Sequence, residues 1–245
     1  HASGGHGDHV YTAPGETEER AWLLTQVSHL QLNAGRVALA ERAVDDALAL
    51  FPDYHYALHQ LARVREAQGR HAEALDAHRR HVVQAPHPEN RLWLARALQR
   101  AGQAAEADEE FAQFAAAARA EADNEDNANR ELVDWLTDEG KDPAAALVLA
   151  EREYARRQDV QTRVAFAWAL HCNGRDEAAW QQAQAALAIG NRDPLLLYRA
   201  GLIATAVGAR TQAQTLLRDA LTLAPWHALA PLATSHLGDH VAVAP

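Results

Sequence analysis

The chain has 245 residues, 48% of them hydrophobic and 23% charged, and carries a formal charge of −10 at pH 7. That balance argues against wholesale disorder, and the excess of acid against a general nucleic-acid binder, which needs a basic face for phosphate. A single cysteine, Cys172, rules out an intramolecular disulfide framework, and the apolar stretches fall short of the roughly 20 residues of a membrane span.

The chain begins with a Gly- and His-rich segment, read as a tail over residues 1–20. Three imidazoles, His1, His6 and His9, fall there beside Asp8, and Gly-Asp-His-Val recurs near the other end as Gly238 to Val241. With His236 and His240 these residues form a candidate copper or zinc site, since imidazole with one carboxylate suits either ion. A terminal His1 could chelate through its amine and ring together, an arrangement that resembles the histidine brace of secreted copper proteins. The start at His1 and the absence of methionine give the expectation of an exported protein, extracellular or periplasmic, with its signal peptide removed.

From residue 21 a period takes over. Turns end in Gly35, Gly69, Gly102, Gly140, Gly174 and Gly208, at spacings of 34, 33, 38, 34 and 34 residues. Glycine suits a helix that must stop in a left-handed conformation. Five residues after each glycine stands Ala40, Ala74, Ala107, Ala145, Ala179 or Ala213. Seven before stands Ser28, Ala62, Ala95, Val133, Ala167 or Gly201. Small residues at both places let two helices approach closely, and Pro52, Pro86 and Pro225 stop three of the second helices.

At these residues the chain resembles the tetratricopeptide repeat family over about residues 21–227. The resemblance implies an all-α, right-handed superhelical solenoid of about six helix–turn–helix repeats. Tails flank it, the second within residues 228–245. Repeats three and four depart from the pattern. His81 and Phe114 stand where the second helix expects a small residue, and the span from Gly102 to Gly140 carries four extra residues. The acidic run from Ala122 to Asn127 lies there and reads as a longer helix followed by an irregular connection.

In the family geometry the first helices line a concave groove. The residues projected onto it are Trp22, His29, Tyr56, His59, Arg63, Trp93, Arg96, Arg130, Trp168, His171, Tyr198 and Arg199. Aromatics interleaved with arginines dominate protein-binding hot spots, although some of these rings could instead pack between repeats. The clamp with which some relatives grip a peptide carboxylate maps to Thr25, His29, Gln60, Glu89 and Trp93. None supplies the lysine or arginine that the clamp requires.

Hydrolase, nucleotide-binding and zinc-protease motifs are absent, and His171 and Cys172 are neighbours whose side chains diverge on a helix. The expectation is therefore not an enzyme but a protein-interaction scaffold that associates head to tail with itself, as an oligomer or filament, through its terminal tails. Two alternatives stand beside it: a peptide binder using the groove, and a secreted copper or zinc protein using the terminal histidines. Interior histidines offer two weaker pairs, His55 with His59 and His78 with His81, each lacking a third ligand. His78 and His81 are also expected to face the repeat core.

Overall fold

The computed structural model describes residues 14–124, 127 and 129–238, and among these it has thirteen helices and no strand. Six hairpins follow one another. They are α1 (Pro14–Asn33) with α2 (Val37–Leu50), α3 (His55–Ala67) with α4 (His71–Gln84), and α5 (Pro88–Arg100) with α6 (Ala104–Ala120). Next come α7 (Arg130–Asp138) with α8 (Pro143–Arg156), α9 (Val160–Cys172) with α10 (Asp176–Leu187), and α11 (Pro194–Ala206) with α12 (Arg210–Leu223). A last helix, α13 (Ala230–Gly238), packs on α11 and α12.

Helix α1 starts earlier than residue 21. Pro14 at its head fixes φ in the helical range, and Glu16 in the first turn complements the helix dipole. The expected tail to residue 20 is therefore too long.

Five of the six glycine turns take the expected form. Gly35, Gly69, Gly102, Gly174 and Gly208 all have φ between 71° and 75°. The residue after each donates to the carbonyl five positions before itself, as in Arg36 N to Gln31 O at 2.8 Å and Arg175 N to Leu170 O at 3.0 Å. The alanines five residues on, Ala40, Ala74, Ala107, Ala179 and Ala213, are all buried.

The fourth repeat differs. Gly140 does not have positive φ; Lys141 does, at 50°. The turn has moved by one residue, so Ala146 is fully buried where the glycine count gave Ala145, which is only half-buried. Gly140 serves another need, because a Cβ there would stand 2.9 Å from the Trp135 ring. Upstream, α6 runs long and an irregular segment leads to the short α7, as the sequence suggests. Asn129 ends that segment, buried and left-handed at φ 53°, and donates to Ala122 O and to Glu153 Oε1, both at 2.9 Å.

The solenoid turns tightly enough for its two ends to meet. A side chain on Gly35 would approach the Leu223 carbonyl oxygen to 3.3 Å. Asn33 Nδ2 donates to Asp193 Oδ2 at 3.2 Å, while the other oxygen of Asp193 caps α11 through Leu195 N at 3.0 Å. Trp226, between α12 and α13, packs against both the first-repeat core around Val44 and Tyr54 and the last-repeat core around Leu197 and Leu217.

Candidate functional site

The inner helices bring arginines together, and each meets a partner. On α3, the Arg63 guanidinium donates to Gln60 Oε1 and Asn33 Oδ1 at 3.1 Å and lies 2.7 Å from His29 Nδ1. Since arginine can only donate, that nitrogen of His29 is the acceptor. Burial first, and then Arg63, push the His29 pKa below its ordinary value, with Asp193 opposing.

Further round, Arg96 grips Glu139 at 2.7 and 3.0 Å and lies over the Trp93 ring at 5.4 Å. Arg199 stands 2.7 Å from Asp134 and 3.7 Å from Asp138, over the Trp168 ring at 5.2 Å. The Asp134 contact is an ion pair without hydrogen-bond alignment. Trp168 Nε1 donates to Asp138 Oδ1 at 2.9 Å. Arg130, at the head of α7, is half-buried, and its Nε has no hydrogen-bond partner among the described residues.

The connection after α12 fills the space beside these groups. Tyr198 is fully buried, its hydroxyl donates to Ala224 O at 2.8 Å, and its ring stacks on His227 at 4.9 Å. Burial and the nearby Arg199, Arg63 and Arg96 push the His227 pKa down to about 4, with Glu66 opposing, so the ring is neutral.

This arrangement corrects part of the groove expectation. Trp168, Tyr198 and Arg199 are buried in the wall and joined to neighbouring repeats. His29, His59, Arg63, Trp93, Arg96 and His171 are half-buried, and all but Trp93 and His59 have polar partners in the chain. The chain supplies its own carboxylates to Arg96 and Arg199, and amides and an imidazole to Arg63, which composition alone does not reveal. Thr25 and Gln60, from the clamp positions, are buried as well. Burial also pushes the half-buried Cys172 thiol up to about 11, the wrong direction for a nucleophile.

Trp22 and Tyr56 remain exposed, at 44% and 52%. Beside them α1 presents Leu23, Val27 and Leu30, also exposed, at an i, i+4, i+7 spacing that puts them on one stripe. A hollow of ≈ 290 Å³ lined by Gly15, Glu18, Glu19, Trp22 and Tyr54 opens beside Trp22. The sequence carried the signal: in a solenoid the first helix has no preceding repeat to cover its outer face.

The interior histidines are brought together differently from the two expected pairs. His59 of α3 meets His78 and His81 of α4, and one ring nitrogen of each lies within 4.8 Å of the others. His78 and His81 are buried, as expected, while His55 stacks outside the group on His81, ring centres 6.4 Å apart. Of the terminal histidines, His1, His6, His9 and His240 lie outside the described residues. His236 is half-buried on α13 and joins no group of three metal-ligating side chains among those described.

No protein-family model matches the chain, and no curated protein matches it. Solved structures do. The chain is similar to a structure of the APC/C hetero-tetramer Cut9-Hcn1 at a TM-score of 0.53, with 16% identity over 90% of this chain and 42% of that one. It is similar to NprR in complex with its cognate peptide NprX, also at 0.53, with 15% identity over 93% of this chain and 75% of the other. A tetratricopeptide repeat protein from Parabacteroides merdae matches at 0.52, with 15% identity over 91% and 86%. The chain thus spans less than half of the first of these, and at such identities the likeness is one of fold.

Proposed function

We propose that this tetratricopeptide-type solenoid is a non-catalytic protein-interaction scaffold that works through the open face of its first repeat. The carrying observation is the exposed stripe of Leu23, Val27 and Leu30 on α1, with Trp22 of the same helix and Tyr56 of α3 also exposed. An apolar face of that spacing suits an apolar helix from a partner. The partner we assign is a second copy, docking head to tail, because α13 at the other end also exposes an apolar residue, Leu232. Such a contact is heterologous and propagates unless rotation closes a ring.

Peptide capture on the inner face has less support here, since the inner arginines meet partners within the chain and Trp226 and His227 occupy the space beside them. No described helix is long and apolar enough to cross a membrane. The terminal histidine site stays a proposal that rests on the sequence alone.

The test is light scattering of the full chain across a range of concentrations, with Leu23→Glu/Leu30→Glu as the variant. Wild type should gain mass with concentration, and the variant should stay monomeric at unchanged helicity. A wild type that remains monomeric throughout sinks self-association. Equal association by the variant removes the stripe as its seat.

A further inference from the structure

The three-histidine group between α3 and α4 is not used by the scaffold reading. His59, His78 and His81 each offer a ring nitrogen within 4.8 Å of the others. The Nδ1 atom of every one is buried and has no hydrogen-bond partner among the described residues. Buried polar atoms in folded proteins are nearly always satisfied, and three orphans on adjacent rings call for something to satisfy them. Their ring centres lie 6.1 Å apart for His59 and His78 and 5.3 Å for His59 and His81.

The setting suits a cation of borderline softness. Burial and the neighbouring imidazoles hold His81 down at about 4, and burial, Arg63 and the imidazoles hold His59 well below its ordinary range, so both rings are neutral and carry a free lone pair. Zinc takes imidazole nitrogen readily and commonly uses three protein ligands with a fourth position left to water. His78 also faces a carboxylate: its Nε2 lies 3.4 Å from Glu66 Oε1, and Glu66 is in turn ion-paired with Arg100. A carboxylate behind a ligating histidine fixes its tautomer and orientation. The sequence pattern adds weight, because His81 stands where the other repeats favour a small residue.

We propose that His59, His78 and His81 form a zinc site that ties α3 to α4, with Glu66 orienting His78 from behind. Bonds of about 2.0–2.1 Å at tetrahedral angles place three nitrogens roughly 3.4 Å from one another. Zinc would therefore draw the rings inward from their separation here. The site is distinct from the terminal histidines and independent of how the first repeat binds its partner.

The experiment is calorimetric titration of chelator-treated full-length protein with zinc, with cobalt as the spectroscopic probe. To separate the interior site from the tails, the starting chain carries His1, His6, His9, His236 and His240 replaced by alanine. One zinc per chain should bind, with a rise in melting temperature and the visible bands of tetrahedral cobalt. His81→Ala restores the small residue of the repeat and should fold, yet lose binding at least tenfold. Glu66→Gln should weaken it about 10- to 100-fold. His71→Ala, on the exposed start of α4, should change nothing. The proposal is overturned if the starting chain binds no zinc, or if binding survives unchanged in both His81→Ala and His59→Ala.

Discussion

The inner wall of the last three repeats and the outer face of the first each carry a tryptophan, and the two end in opposite situations. On the wall, Trp168 and Arg199 are 7% and 3% exposed, and Asp134 and Asp138 answer the charge. On the outer face, Trp22 and its aliphatic neighbours lie open to solvent. Aromatics and arginines thus mark an interaction surface only where the neighbouring repeat leaves them uncovered. Position within the array decides the role: an internal helix is covered on both sides, and the first is not.

The largest effect that would break this comparison is at Arg199. Replacing it by alanine leaves Asp134 without its close cation, leaves the partly exposed Asp138 only Arg96 at 3.9 Å, and opens a gap beside Trp168. Breaking a buried pair costs about 3–5 kcal/mol, here toward the lower end because Asp138 still reaches water. Urea denaturation of Arg199→Ala should show that loss. A change under about 0.5 kcal/mol, the level of an ordinary surface substitution, would return Arg199 to the list of free contact residues.

A smaller effect tests whether the C-terminal connection belongs to the same wall. The His227 pKa is lowered to about 4 from an ordinary 6.5. The unfolded chain takes up a proton near the higher value and the folded one only near the lower. His227 therefore contributes its full stability above about pH 6.5 and loses it as pH falls toward 4, at about 1.4 kcal/mol per pH unit. The difference in unfolding free energy between wild type and His227→Gln should be constant above that window and should move in favour of the variant as pH falls through it. A difference that stays flat to pH 4 would mean that His227 is solvated and the inner space open.

Most of the fold was legible because it rests on local rules repeated six times. Glycine at a left-handed turn and a small residue five places on need no knowledge of distant contacts, and five of six turns follow them. The fourth turn falls one residue later, at Lys141, and Gly140 lies so close to Trp135 that no side chain fits, a contact that spacing does not report. The candidate site was less legible for the same physical reason. The partners of Arg199 lie two repeats away, and the third ligand of the histidine group sits on another helix. The meeting of Asn33 with Asp193 depends on superhelix curvature summed over every repeat. None of those distances has a local signature.

The finest discrimination comes from two glycines that share one turn geometry. Gly35 and Gly69 have φ of 73° and 71°, so alanine at either is strained, by about 1 kcal/mol. At Gly69 nothing lies within 4 Å of an added Cβ. At Gly35 that carbon would press on Leu223, 3.3 Å from its carbonyl oxygen and 3.5 Å from its Cα, where backbone faces backbone. The only relief is to move the first hairpin away from α12, which also stretches the 3.2 Å hydrogen bond from Asn33 to Asp193 and loosens Trp226. Gly35→Ala should therefore cost more than Gly69→Ala in urea denaturation, by roughly the net worth of one hydrogen bond, about 0.5–1.5 kcal/mol. Hydrogen exchange should place the added loss in α1, α12 and the segment around Trp226 rather than in α3 and α4. Equal costs at the two glycines would mean that the ends of the solenoid touch without holding each other.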